Sequence, residues 1–378
     1  MRQNGPATKG PPASEAGGVL TIDLAALVAN WRALAERAAP AECAAVVKAD
    51  AYGCGIEPVV GALYRSGCRT FFVAHISEAR RVRACAPDAV VYVLAGLHPG
   101  GGPDYATDNL RPILSGIEEV REWAAFRASG WQGGAGLHVD TGMNRLGLSL
   151  DDAAALATDA VLPKAGLSLL ISHLAVADDP GHPLNARQAG LFREMRDLFP
   201  GVAGSLANSS GIFLGPDVHH DMVRPGAALY GVNPTPTHAN PMQPVVRVEG
   251  RILQVREIET GDTVGYGAVW TARRPSRLAI VSLGYGDGVP RSAGASDLNT
   301  GADILVAGRR CPIAGRVSMD LIAADVTDLP DGVPRRGDWA TLLGDTIDVD
   351  ELAAHAGTIG YEVLTRLGHR HRRVYVGA

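Results

Sequence analysis

An α/β chain with an N-terminal (β/α)8 TIM-type barrel and a C-terminal, mainly β domain is the architecture this sequence predicts. Three observations carry that expectation. The 378 residues exceed the size at which one hydrophobic core stops growing, so two domains of unequal size are expected. From Val19 to about Tyr230, short β-rich apolar runs alternate with stretches of helical spacing, the pattern of a parallel sheet or barrel. Beyond about Pro241 the pattern becomes short alternating strands broken by Gly, Pro and Asp turns.

Residues 1–18 are rich in Pro, Gly and Ala without periodicity and read as a disordered tail. The barrel is expected over residues 19–240. Its apolar runs are Cys43–Val47, Thr70–Ala74, Ala89–Leu94, Pro112–Leu114, Gly136–Val139, Leu167–Ser172 and Ser205–Ala207. Helix-like segments such as Ala25–Ala38, Glu118–Arg127 and Asn185–Leu198 separate them, and seven or eight such units fit the length. A polar group recurs just after these runs: Lys48, His75, Asp140, His173, Asn208 and Arg224. In a barrel the carboxyl ends of the strands converge on the active site, so this recurrence points to an enzyme. A doubly wound sheet gives some of the same pattern, but the repeat count favours the barrel. Over residues 241–378 the strands are Val245–Val255, Leu278–Leu283, Asp303–Ala307, Ile322–Val326 and Trp339–Leu343, with one helix from about Val349 to Leu367.

A composition of 46% hydrophobic and 20% charged residues, with no apolar run long enough to span a bilayer, reads as a cytoplasmic protein without a membrane partner. A formal net charge of -5 gives no reason to expect nucleic acid, and the basic stretch His369 to Arg373 reads as a solvated terminal strand or loop. The five cysteines are odd in number and lack CxxC spacing, against a disulfide framework or a structural zinc site. His219-His220-Asp221 looks like a ligand cluster, yet adjacent side chains on an extended segment diverge, so no metal is expected. Gly284-Tyr285-Gly286-Asp287-Gly288 lacks the strand–turn–helix context of a dinucleotide loop.

Several segments carry chemistry. Val46 to Gly55 delivers Lys48 to a strand end ahead of a glycine-rich turn. Desolvation there favours the neutral amine and suits a Schiff base, though a lysine snorkelling from a strand end reads equally well from this segment alone. His138 to Gly147 repeats the layout with Asp140 and Arg145, which alone could be a turn cap and a surface cation. Val223-Arg224-Pro225-Gly226 places a permanent cation at a strand end, useful against a phosphate, carboxylate or ring nitrogen. Asn208-Ser209-Ser210-Gly211 could cradle a phosphate or be an ordinary capped turn.

Together these segments resemble the alanine racemase family, in order and at family-like spacing across almost all of Val19 to Val376. The motifs are Val47–Gly55, Asp140–Gly147, Ser172–Ala175, Ala207–Ser209, Val223–Gly226, Val264–Ala268, Gly284–Gly288, Gly315–Asp320 and Gly360–Glu362. The resemblance implies a pyridoxal 5'-phosphate enzyme of fold type III, acting on a small amino acid as a homodimer whose active sites are shared. It implies that alanine is the substrate, D-alanine for peptidoglycan the product, and Lys48 the cofactor lysine. Tyr266 would be the second acid/base, contributed from the other subunit to the opposite face of the substrate. Two bases of matched pKa can then remove a proton from one face and return it to the other. Arg224 would partner the pyridine nitrogen, with His173 supporting it. Arg145 would donate to the cofactor phenolic oxygen and the substrate carboxylate. Tyr52, Ser209, Gly226 and Tyr361 match phosphate-binding positions, beside Asn208. Met319 matches a substrate-carboxylate contact through its backbone N–H, and Tyr285 an entrance residue from the partner.

Three positions depart from the family pattern. Many members carry a carbamylated lysine where His138 stands, seven residues before Arg145, and histidine cannot form that group. Val289 replaces a common aromatic residue and Cys54 a common histidine. The alternatives are a racemase of another or several amino acids such as serine, a fold-type III decarboxylase, and a non-enzymatic pyridoxal-phosphate carrier. The carrier lacks the second domain and Tyr266; the decarboxylase needs a catalytic cysteine, for which Cys311 lies outside the motif.

Overall fold

The computed structural model describes residues 7–377. Eight short parallel strands form its first layer: Glu42–Cys43 continued by Ala45–Val46, then Thr70–Val73, Val90–Val93, Arg111–Leu114, Ala135–His138, Leu167–Ile171, Ala203–Ser205 and Met222–Val223. Neighbours pair in chain order, and Glu42–Cys43 pairs with Met222–Val223. Asp221 N donates to Gly204 O at 3.0 Å and Arg224 N to Ala207 O at 2.9 Å, which joins the last two strands and closes the ring. The strands are buried on both faces, as in Thr70–Val73 and Ala135–His138, so they read as continuous apolar runs without alternation. Helices such as Leu24–Ala38, Ile76–Cys85, Ile117–Ala128 and Pro183–Leu198 wrap the outside.

The second layer is a nine-stranded, mostly antiparallel sheet. Its centre is the 13-residue strand Val246–Ile258, which pairs with Gly18–Asp23, Ser276–Val281 and Trp339–Leu343. A register shift between Ile252 and Gln254 lets this one strand serve different neighbours along its length.

Four details differ from the sequence expectation. The expected disordered tail is ordered where it is described: Ala7–Lys9 pairs antiparallel with Arg372–Val376, and Ala16 is buried. Residues 1–6 of that tail lie outside the described residues. Residues 7–9 are ordered through their backbone, whose pairing along a sheet edge needs no side-chain periodicity. Gly18–Asp23 belongs to the second sheet, paired with Arg372–Val376 and Val246–Ile258, before Asp23 caps the first barrel helix. The single helix expected from Val349 to Leu367 is two, Val349–Ala356 and Gly360–Thr365, separated by the left-handed Gly357 (φ 67°) and extended Ile359. The basic stretch is not solvated throughout: His371 and Arg373 are buried. Arg373 donates to Gly53 O across the domain boundary, and to Leu367 O at 3.2 Å. Among the described residues no helix is long and apolar enough to cross a membrane.

Candidate active site

The carboxyl ends of the barrel strands open into a cavity of about 640 Å³. Lys48, Tyr52, His138, Arg145, His173, Asn208, Ser209, Arg224, Gly226 and Tyr361 all line it. His75, the polar residue after the second strand, is exposed and does not.

Lys48 leaves the first strand through a turn of unusual hand. Ala49, Asp50, Ala51 and Tyr52 all have φ between 52° and 54°, a left-handed helical turn built without glycine. Each such residue costs about 1–2 kcal/mol, so the surroundings must hold it. Ala51 N donates to Val47 O at 3.0 Å, and Asp50 Oδ1 accepts from Ile56 N at 3.1 Å while pairing with Arg81 at 2.6 Å. Glu78, which sequence reading did not single out, accepts Ala49 N at 2.7 Å. Its only sequence cue is the third helical position of Ile76–Cys85, where a glutamate commonly caps.

The chemistry of the donors is cationic. Burial first, then the neighbouring Arg145 and Arg224, pull the Lys48 amine below its ordinary range, while Glu78 opposes them. Arg224 is buried and donates through Nε to Ser205 Oγ at 2.9 Å and through Nη2 to Ser172 O. Burial brings it to about 10, so it stays a cation at neutral pH. Burial and Arg224 hold His173 well below its ordinary value and bring His138 to about 4, so both rings are neutral. Asp140 turns inward to its own loop, accepting Gly142 N and Met143 N at 2.9 Å. Among the described residues, Glu362 is the one carboxylate lining the cavity, and it is bonded to Thr358 and paired with Arg366.

One end of the cavity suits a phosphate. The buried Ser209 hydroxyl oxygen accepts Gly226 N at 3.0 Å and Ala228 N at 3.2 Å, leaving its proton to donate. Tyr52 stacks on Tyr230 at 4.6 Å, which carries its hydroxyl over Gly226. A Cβ on residue 226 would stand 2.3 Å from that hydroxyl, so only glycine leaves room for it. Asn208 caps the following turn through Oδ1, accepting Gly211 N at 2.9 Å. Lys48, two arginines and this set of hydroxyls fit a doubly charged phosphate and a carboxylate.

Three residues expected at the site lie elsewhere on this chain. Tyr266 is 69% exposed, Met319 53% and Tyr285 41%. Tyr266 and Met319 line one surface depression with Ser318, Asp320 and Leu321, and Tyr285 N donates to Ser318 O at 3.0 Å. The three therefore lie close together on the second domain, and none of them lines the cavity that holds Lys48.

Residues 22–234 match the family described as alanine racemase, N-terminal domain, and residues 245–375 its C-terminal domain. An alanine racemase of Methylobacterium sp. (strain 4-46) is 57% identical over 95% of this chain and 98% of that protein. The chain belongs to the alanine racemase family. A biosynthetic alanine racemase of Agrobacterium fabrum is 47% identical over 95% of this chain and 94% of that protein. The crystal structure of alanine racemase from Bartonella henselae with covalently bound pyridoxal phosphate aligns at TM-score 0.90 with 41% identity, covering 96% of this chain and 100% of that one.

The three departures from the alanine racemase pattern are all buried. His138 is buried and neutral, a compact ring where many members carry a longer modified side chain. Cys54 is fully buried, its thiol pushed up to about 12 by burial, and is a packing group. Val289 is buried as well, so an aromatic ring there would need different packing around it.

Proposed function

We propose that this alanine racemase family member interconverts L-alanine and D-alanine with pyridoxal 5'-phosphate, as a homodimer whose second domain completes the partner's site. The observation that carries this is Lys48, an amine of lowered basicity set in a cavity whose other fixed charges are chiefly the arginines Arg145 and Arg224. Pyridoxal phosphate, when bound, supplies an electron sink that acidifies the α-carbon of an attached amino acid. Lys48 would anchor it, and the freed neutral amine would carry the α-proton on one face. Ser209, Tyr52, Tyr361 and Gly226 would hold the phosphate, and Asn208 would shape the turn beneath them. Arg224 would meet the pyridine nitrogen, where a permanent cation disfavours ring protonation, weakens the sink and limits side reactions. His173, neutral beside Arg224, would support it. Arg145 would bind the substrate carboxylate.

Tyr266 of the partner subunit would move the proton on the opposite face, with the backbone N–H of Met319 of the partner subunit meeting the substrate carboxylate and Tyr285 of the partner subunit lining the entrance. The exposure of these three large side chains on one face of a single chain supports that assembly. Cys311, the candidate of a decarboxylase reading, is buried with its thiol pushed up to about 11 by burial, a poor proton donor or nucleophile. Five unpaired cysteines fit a reducing compartment, and we place the enzyme in the cytoplasm, supplying D-alanine for peptidoglycan.

The test is incubation of the purified protein with L-alanine in deuterated water, with L-serine in parallel. Racemisation of alanine with deuterium at the α-carbon of both enantiomers is expected. Release of CO2 would assign a decarboxylase, no turnover a carrier, and faster turnover of serine a different substrate. Tyr266→Phe should keep the visible absorbance of the bound cofactor and slow the two directions unequally. Lys48→Ala should lose that absorbance. Intact, equal rates in Tyr266→Phe would sink the two-base assignment.

A further inference from the structure

Glu78 lies outside the cavity lining, yet its carboxylate joins two strand ends. Oε1 accepts Ala49 N at 2.7 Å and Asp50 N at 3.4 Å, the first two amides after Lys48. Oε2 accepts Ala74 N at 2.9 Å and His75 N at 3.3 Å, at the end of the next strand. The second pair of bonds is ordinary helix capping at the start of Ile76–Cys85. The first pair is not, because it reaches from that helix to the end of the neighbouring strand and holds the left-handed turn there.

An internal comparison separates the two roles. Glu119 stands at the same third position of Ile117–Ala128, and its Oε2 accepts Ser115 N at 3.0 Å and Leu97 N at 3.4 Å. It too bridges two strand ends. Leu97 leads into no left-handed turn and no lysine, so Glu119 does for the barrel what Glu78 does, without the connection to Lys48.

We propose that Glu78 is a positioning residue for Lys48, locking the left-handed turn that sets the amine in the cavity and acting as its acidic counter-charge. This rests on the reading of Lys48 as the cofactor lysine. The groups facing Lys48 are Arg224 after the last strand, Arg145 in the loop after the fifth, His173 after the sixth, with His138 behind it, and Glu78. Glu78 is the one acidic member of that set, and its neighbours Asp50 and Arg81 are already paired with each other. Removing its charge leaves cations and neutral rings around the amine, since Glu362, the carboxylate lining the cavity, is already paired with Arg366. More of it is then neutral at a given pH, while a loosened turn presents it less well.

The experiment follows capture of pyridoxal phosphate by cofactor-free full-length protein, as the rate of rise of visible absorbance across pH. In that step the neutral Lys48 nitrogen bonds to the aldehyde carbon, and the aldehyde oxygen leaves as water with both amine protons. Glu78→Gln keeps the shape and an acceptor oxygen but no charge. Its capture midpoint should move to lower pH by about half a unit or more, since one nearby charge shifts a pKa by that order. Glu78→Ala, which also frees the turn, should capture at least about tenfold more slowly. Glu119→Gln should leave midpoint and rate unchanged.

Unchanged midpoint and rate in both Glu78 variants would overturn the proposal, as would an equal shift in Glu119→Gln. If neither Glu78 variant folds in thermal unfolding while Glu119→Gln does, Glu78 serves the barrel alone and the proposal falls. Failure of the unsubstituted protein to capture the cofactor would instead overturn the reading of Lys48.

Discussion

At the scale of single residues, charge crowding governs the site. Lys48, Arg145, Arg224, His138 and His173 converge, and burial together with two permanent guanidinium ions forces the remaining groups toward neutrality. A stability consequence follows for His138, whose folded-state value is brought from 6.5 to about 4. In the unfolded chain it binds a proton as pH falls through 6.5, whereas in the folded chain it resists until about 4. Its contribution to stability is therefore present above 6.5 and lost progressively as pH falls toward 4. Between pH 7 and pH 5 the loss from this group should be about 2 kcal/mol. Urea unfolding of the cofactor-free protein at the two pH values measures it, and His138→Gln should flatten the slope by that amount. An unchanged slope in the variant would mean that other groups carry the pH dependence.

At the scale of elements, the left-handed turn and the broken helix show how local backbone conformation places side chains. Ala49 to Tyr52 curl with the wrong hand for L-residues, and Lys48 and Tyr52, at the two ends of that turn, both line the cavity. No glycine marks those four residues, so the sequence carried no cue to a left-handed turn. The helix break at Gly357 has the opposite status, since a glycine after an apolar periodic stretch is an ordinary stop. That break frees Gly360–Thr365 to place Tyr361 and Glu362 on the cavity. A Cβ at residue 357 would meet nothing within 4 Å, so the cost of Gly357→Ala is purely that of its left-handed backbone. It should lower stability by about 1 kcal/mol in chemical denaturation. A neutral result would show that the break relaxes to another conformation.

At the scale of the molecule, both ends of the chain tie the two domains together. Gly18–Asp23 enters the second sheet before the barrel begins, and Arg372–Val376 pairs beside it at the end. Arg373 reaches from that last strand to Gly53 O, immediately after the left-handed turn, and Tyr375 Oη donates to Cys54 O at 3.0 Å. The domain that carries Tyr266 on its outer face thereby also braces the Lys48 turn of its own barrel. Arg373→Met removes a buried charged donor from three carbonyls and should cost about 3 kcal/mol. A lowered melting temperature together with weaker retention of cofactor is the expected result. A lowered melting temperature with retention unchanged would confine Arg373 to the second domain.

The order of strands and helices, and the residues that line the cavity on this chain, were legible in the sequence. Buried parallel strands and amphipathic helices leave local periods, and Lys48, Arg145, His173, Ser209 and Arg224 sit just past the strands that deliver them. What was not legible depends on contacts between residues far apart in the chain. The pairing of residues 7–9 and 18–23 with the last strand, the burial of Arg373 and His371, and the bridge from Glu78 to the Lys48 turn belong to this class. A hydrogen bond between backbone groups leaves no mark on residue type, and a charged side chain reads as solvated until its distant acceptors are known. Sequence alone therefore singled out the residues proposed for the chemistry. The tertiary structure decided which of them one chain brings together, leaving Tyr266, Tyr285 and Met319 exposed on the second domain.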